Sequence, residues 1–339
     1  MNQTPKTMAV VEMREAGGPD VLVPGRRPVP EPMPGEVLIR VTAAGVNGPD
    51  LVQRRGHYPP PKGASDLLGL EVSGEVVAIG NAVQRWRPGD RVVALTNGGG
   101  YADYVAVDAT HCLSVPDTVD ETDAAGLPET YFTVWSNIFL PGPIPQGGVM
   151  LVHGGAGGIG STAIQLGAAM GLRVHATVGS EEDAAFCIEA GAERSIDFRH
   201  EDFVDIVRSA GGADVILDII GGDYIARNIK AAAPDCRIVQ IAFNKGSKVE
   251  IDLMPLMLKR LTLTGSTLRS RSAEFKARVA RELEEQVWPL FAAGRLRPVT
   301  HCILPLEQAA AAHEMLEAAR HRGKVLLQPS GSVEGNASH

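Results

Sequence analysis

The run Val149 to Gly160, VMLVHGGAGGIG, decides how this chain is read. A short apolar, β-favouring segment leads into Gly155-x-Gly157-x-x-Gly160, and the residues behind it, STAIQLGAAMG, read as a helix that stops at Gly171. Strand, tight turn and helix start are the opening of a dinucleotide-binding βαβ unit. Glycine is needed there because a diphosphate approaches the backbone closely, taking N–H groups and the positive end of the helix dipole where a Cβ would obstruct it. A GxGxxG pattern alone is weak evidence, since glycine-rich turns are common in α/β proteins. Here the strand before it, the helix behind it and RVHATV (173 to 178) as the next strand supply the required context. Gly155, Ala156, Gly157, Gly158 and Ile159 are the candidate diphosphate contacts.

The end of that second strand is expected to select the cofactor. An NAD site places an acid there for the ribose 2′-hydroxyl, whereas an NADP site leaves the space open and offers a polar or cationic partner. Strand 173 to 178 is followed by Gly179 and Ser180, which favours NADPH with NADH as a lesser partner. Glu181, Glu182 and Asp183 come next, at a helix start, where macrodipole compensation explains acids equally well.

With 339 residues, 44% of them hydrophobic, the chain is long enough for two cores. A net charge of −8 and the lack of any Lys/Arg block argue against a nucleic-acid or anionic-membrane partner. Cys112, Cys187, Cys236 and Cys302 are far apart and form no CxxC pair, so neither a disulfide framework nor a zinc cage is implied. No apolar run approaches the roughly 18 residues of a membrane helix, and the opening MNQTPKTMAV lacks the core of a secretory signal. A cytoplasmic protein is the expectation.

The texture of the chain changes near Pro128. Before it lie short β-rich runs set off by Gly and Pro: TMAVVEM, EVLIRVTAAGV, EVSGEVVAIG, DRVVAL and YADYVAV. Their spacing predicts a barrel-like all-β domain. After it, a helical TYFTVWSNIF precedes VMLV, RVHATV, RSI, DVILDII, RIVQIA and LTLTG, with helical segments between them. Six strands alternating with helices match a doubly wound parallel sheet. From about Arg269 a long charged helix, a β-like THCILPL, the helix EQAAAAHEMLEAARH and a last strand GKVLLQP most simply return to complete the first domain. The tail SGSVEGNASH has the composition of a disordered segment. RIVQIA can also be read as an edge strand open to pairing.

With these motifs in hand, the chain resembles the medium-chain dehydrogenase/reductase superfamily, and within it the zinc-independent quinone oxidoreductases of the zeta-crystallin type. The resemblance runs from about Met8 to Pro329. It is carried by AAGVNGPDLVQRRGHYPPP (43 to 61), LLGLEVSGEVVAIG (67 to 80), RPGDRVVAL (87 to 95), VHGGAGGIGSTAIQLG (152 to 167), LDIIGGDY (217 to 224) and LTLTGSTLRSR (261 to 271). It implies an α/β fold: a Rossmann domain over residues 129–268, and a β-rich GroES-like catalytic domain over 1–128 and 269–339. It also implies a homodimer.

Zinc-dependent alcohol dehydrogenases of the superfamily have Cys where this chain has Asn47 and His where it has Leu70, within Gly69-Leu70-Glu71. An amide and an alkyl chain cannot replace thiolate and imidazole as ligands to a borderline-soft metal. His57, His111 and His153 show no ligand-like spacing and are expected to be surface or packing residues. Without a Lewis acid, the suited acceptors are those that delocalise an incoming hydride into a conjugated oxygen: quinones and α,β-unsaturated carbonyls. By resemblance, Asn47 and Tyr58 are the candidate catalytic residues. Gly48, Pro49, Asp50, Thr133, Phe243, Asn244, Thr267, Leu268 and Lys324 are expected to border the nicotinamide half. GVNGPD also reads as a plain turn, and Tyr58 as a ring packed on Pro59 to Pro61.

Two departures from the family pattern bear on the cofactor. NADPH-binding members commonly carry Lys where this chain has Asp183 and Tyr where it has Phe198. Arg199 is either a compensating phosphate partner or a solvated loop charge. Three functions remain open at this stage: quinone reduction, reduction of an enone or enoyl C=C bond, and a dinucleotide-binding role without turnover.

Overall fold

The computed structural model describes residues 4–330. They divide into two compact units, one of Met1–Phe132 with Arg269–His339 and the other of Thr133–Leu268. The expectations for the N-terminal Met1–Gln3 and for the tail beyond Ser330 lie outside the described residues.

The unit Thr133–Leu268 is built on a six-stranded, all-parallel sheet. Across it lie Arg194–Asp197, Arg173–Val178, Val149–His153, Ala213–Asp218, Ala232–Gln240 and Thr262–Gly265, the order 3-2-1-4-5-6 by appearance in the chain. Strand Val149–His153 is buried at every position because helices cover both faces of a parallel sheet. Val149, Leu151, Ile196, Phe203, Ile216 and Ile238 form one core within it. The chain reverses direction between Val149–His153 and Ala213–Asp218, and an open α/β sheet binds ligands at the carboxyl ends beside such a reversal.

RIVQIA is not the edge strand that its composition allowed. It belongs to Ala232–Gln240, paired on both sides, and Ile241 already lies beyond the strand. The edge is Thr262–Gly265, whose four residues are all exposed.

The other unit carries a seven-stranded sheet and a two-stranded ribbon, Thr7–Met13 with Leu22–Pro28. Its C-terminal part returns physically: strand Lys324–Gln328 inserts between Glu36–Val46, antiparallel, and Thr300–Pro305, parallel. Val37, Ile39, Val72, Val92, Tyr101 and Val325 share the resulting core. Two strands carry no legible sequence signal. Leu22–Pro28, LVPGRRP, holds two prolines and a glycine that read as loop, yet it pairs along its whole length as the outer strand of a two-stranded ribbon, where missing N–H groups are tolerated. Cys112–Ser114 is too short to show a period. The long charged helix is three pieces, Ala273–Glu282, a wider turn over Leu283–Val287 and Trp288–Ala292, with Pro289 opening the last.

Candidate active site and dinucleotide turn

In the nucleotide unit the three glycines of the motif do different work. A Cβ on Gly155 would lie 2.8 Å from Cys187 Sγ and 2.9 Å from the Ala176 Cβ, and one on Gly160 would strike the Gly154 and Gly155 carbonyls. Those two permit close packing of turn, helix and strand. At Gly157 the nearest atom, the Gly154 carbonyl oxygen, is 3.9 Å away. Packing does not require glycine there, and the space beside it is open. Gly157 caps helix Gly158–Ala169, so the N–H groups of Gly158, Ile159 and Gly160 lie in a first turn that lacks intrahelical partners. Gly154, at φ +72°, makes the sharp entry, and Ala156 sits between the packed and the open glycine.

A buried polar chain holds this turn. Asp218 Oδ1 accepts from the N–H groups of Ile220 (2.6 Å) and Gly221 (3.0 Å), and its Oδ2 accepts from Asn228 Nδ2 at 2.8 Å. Asn228 Oδ1 lies 2.8 Å from His153 Nε2, so Nε2 carries the proton and Nδ1 is left to accept from Thr177 Oγ1 at 3.0 Å. Burial lowers the pKa of this imidazole, which stays neutral as that pattern requires. Thr177 then receives Gly154 N on its hydroxyl (3.3 Å) and Gly155 N on its carbonyl (3.0 Å). The sequence marked His153 only as a surface or packing histidine. Its place directly before the glycines, inside an apolar strand, was the signal.

The residues expected to select the cofactor come together at the end of strand Arg173–Val178. Ser180 caps helix Glu181–Glu189, its Oγ accepting from Asp183 N at 3.1 Å. A Cβ on Gly179 would sit 3.2 Å from the Phe198 ring and 3.6 Å from an Arg199 guanidinium nitrogen. Arg199 lies over the Phe198 ring with its Cζ 5.9 Å from the centroid, so the guanidinium is turned toward the strand end.

Phe243 and Asn244 follow the carboxyl end of Ala232–Gln240. Asn244 N donates to Ile219 O at 3.3 Å, and Phe243, 48% exposed, packs beside Gly221. Ser266 Oγ donates to Asn137 Oδ1 (2.8 Å) and Asn137 Nδ2 donates to Thr133 O (2.9 Å), tying the segment before Thr267 and Leu268 to Thr133.

In the other unit GVNGPD is not a plain turn. Asn47 caps helix Gly48–Arg54, with Gly48 and Pro49 opening its first turn. Buried Asp50 accepts from Asn47 N (2.9 Å) and Gly69 N (3.0 Å), which fixes the helix start against the turn before Glu71. Desolvation raises the Asp50 carboxyl to about 6. The Asn47 amide donates to Glu71 Oε1 at 2.8 Å and accepts from Lys324 Nζ at 2.5 Å. Lys324 also ion-pairs with Glu71 Oε1 at 2.7 Å and donates to Val46 O at 3.2 Å. Each of its three N–H groups therefore has a protein acceptor. Lys324, expected beside the nicotinamide, is held here by Asn47, Glu71 and Val46. Gly45 is glycine because a Cβ would collide with the Glu71 carboxylate.

This cluster lies where the superfamily's zinc ligands would fall, and it does not fit zinc. Asn47 and Leu70 supply neither thiolate nor imidazole, and an ammonium already holds the oxygens a cation would use. Among the described residues no group of three or more His, Cys, Asp or Glu is placed to hold a metal ion.

Tyr58 packs beside Arg269, whose guanidinium carbon lies 5.5 Å from its ring centroid. Arg269 donates to Gln53 Oε1 (2.6 Å) and to the Asn97 carbonyl. Burial, and then the neighbouring Glu129, push the Tyr58 phenol above its ordinary pKa, so it is a hydrogen-bond donor across the physiological range. The sequence reading missed Arg269 and Glu129. Neither had a pattern of its own; both are brought in by tertiary structure.

Replacing Lys324 by Met leaves the buried Glu71 carboxylate without its cation, and we expect a loss of about 3–5 kcal/mol in denaturant unfolding. Adding Glu71→Gln should recover part of that loss. Wild-type stability in Lys324→Met would mean that the pair carries no such constraint.

Comparison with known proteins agrees with this geometry. Residues 33–117 match the family described as alcohol dehydrogenase GroES-like domain, and residues 158–285 match the one described as zinc-binding dehydrogenase. The quinone oxidoreductase of Rattus norvegicus is 31% identical over 328 residues, covering 95% of this chain and 98% of that protein. The structure of Escherichia coli quinone oxidoreductase complexed with NADPH superposes with a TM-score of 0.84 at 27% identity, over 95% of this chain and 100% of that one. An NAD-dependent alcohol dehydrogenase superposes with a TM-score of 0.83 at 32% identity, over 95% and 99% of the two chains. The chain belongs to the medium-chain dehydrogenase/reductase superfamily, in its quinone oxidoreductase branch.

Proposed function

We propose that this protein reduces quinones with NADPH, by a metal-independent transfer to a conjugated acceptor. The observation that carries the reading is the Asn47–Glu71–Lys324 cluster, which puts a fixed ammonium where related dehydrogenases use a metal. The nicotinamide, when bound, supplies a hydride. The residues of the chain bind and orient: the turn at Gly157 and the first N–H groups of helix Gly158–Ala169 receive the diphosphate, and the Tyr58 phenol donates a hydrogen bond to the acceptor's carbonyl oxygen.

For the cofactor, Gly179 and Ser180 put no acid at the strand end, and Arg199, close to Gly179, is the cation for a 2′-phosphate. Asp183 opposes it at the start of the next helix. NADPH is preferred and NADH is used less well.

A homodimer is part of the same reading. Its support is the open edge Thr262–Gly265, together with exposed Leu253, Met254, Met257, Leu258 and Leu263 in the same unit, an apolar surface beside unpaired strand N–H and C=O groups.

Steady-state assays with NADPH and NADH against 1,4-quinones, enones and enals test the reading. Quinones should give the highest kcat/KM, with NADPH ahead of NADH. Oxidation of neither cofactor by any conjugated carbonyl would contradict it and favour a binding role without turnover; preference for enones would move the assignment to C=C reduction. Asp183→Lys should tighten NADPH about fivefold, the equivalent of ~1 kcal/mol for a partly exposed charge-assisted contact, and leave NADH nearly unchanged. Equal gains for both cofactors would place residue 183 away from the 2′-phosphate.

A further inference from the structure

We propose that Glu129 is the proton donor of the reduction, the group that delivers a proton to the acceptor's carbonyl oxygen as hydride reaches the conjugated system. The inference rests on the reduction proposed above. In that step the carboxylic O–H bond of Glu129 breaks and an O–H bond forms on the acceptor. Quinone, hydride and this proton together make the quinol, and the Glu129 carboxylate regains a proton from solvent.

Glu129 lies near the start of helix Pro128–Val134 and is only 8% exposed. Its backbone N–H donates to Glu71 Oε2 at 2.8 Å, which pins it beside a buried carboxylate. The charges its carboxyl feels are those of Glu71 from strand Glu71–Ile79, Lys324 from the C-terminal strand, Asp50 from helix Gly48–Arg54 and Lys276 from helix Ala273–Glu282. Tyr58 and Arg269 are close enough to feel its charge.

None of the three cations is committed to Glu129. Lys324 is engaged by Glu71, Asn47 and Val46. Lys276 Nζ donates to Asn97 Oδ1 (2.7 Å) and Arg269 O (3.0 Å), and Arg269 serves Gln53 and Asn97. The hydrogen bond shown at Glu129 is made by its backbone N–H, and no side-chain hydrogen bond is among the causes that shift its carboxyl.

Desolvation first, and the Glu71 charge second, raise this carboxyl to about 8. At neutral pH it is therefore mostly the neutral acid. Tyr58, with its phenol held protonated by the same surroundings, orients an acceptor oxygen beside it. A general acid with a pKa near the working pH is both present in the right form and willing to give up its proton.

The test compares the full-length wild type with Glu129→Gln, which keeps size and shape. One arm is independent of turnover. A carboxyl raised in the folded state contributes stability that is fully present below its unfolded value, near 4.5, and lost as pH rises through about 8. Urea unfolding should therefore show the wild type losing stability relative to Glu129→Gln across that window. A difference that does not change with pH overturns the inference.

In the second arm, with NADPH and 1,4-benzoquinone, wild-type kcat should fall above pH 8. Glu129→Gln should lose about 100-fold or more in kcat, lose that alkaline fall, and bind NADPH normally by fluorescence titration. A variant within a fewfold of wild type, or one that keeps the alkaline fall, overturns it. If the wild type reduces no acceptor, the donor role falls with the reduction reading, and an intact pH-dependent stability difference identifies that as the cause.

Discussion

The Glu71 carboxylate is the point on which the non-nucleotide unit depends. It has no exposure, yet it is bound on one oxygen by the Asn47 amide and the Lys324 ammonium and on the other by the Glu129 backbone N–H. A buried carboxylate is tolerated only when its charge is paired and its lone pairs are filled, so this one dictates its neighbours. It draws together the start of helix Gly48–Arg54, the C-terminal strand Lys324–Gln328 and the start of helix Pro128–Val134, three segments far apart in sequence. It also decides the chemistry: an ammonium in this place leaves no vacancy for a divalent metal.

The nucleotide unit solves its placement problem by the same physics. There the buried acid is Asp218, and the chain Asp218, Asn228, His153, Thr177 ends on the N–H groups of Gly154 and Gly155. Each member satisfies the next, so protein groups hold the glycine turn in place. Satisfied polar networks of this kind are rigid, because any rotation leaves a buried donor or acceptor unpaired.

Much of this was legible in the sequence, and the reasons for success and failure are physical. The parallel sheet could be read because its central strands, VMLVH and ADVILD, are nearly continuous apolar runs bounded by turn residues, and Gly155-x-Gly157-x-x-Gly160 could be read because its spacing is local. The return of the C-terminal segment was legible because GKVLLQP has a strand's composition and no sheet of its own. Strand Leu22–Pro28 was hidden by its prolines and glycine. Helix Gly48–Arg54 was hidden because Asn-Gly-Pro-Asp reads as a turn, although Asn47 and Asp50 are also an N-cap and its third residue. RIVQIA was open to an edge reading because a buried parallel strand and an apolar edge have the same composition. Lys324, Glu129 and Arg269 illustrate the deeper limit. A lysine in a strand, an acid at a helix start and an arginine after a strand have ordinary local explanations, and only the tertiary structure shows what each faces.

Elemental analysis of the purified protein, with turnover followed through prolonged chelation, tests the central claim most directly. If the Lys324 ammonium holds the place of the metal, the protein carries no stoichiometric zinc and its turnover with NADPH and a quinone is unchanged by the chelator. One zinc per chain, lost together with activity and restored together with it, would contradict this account.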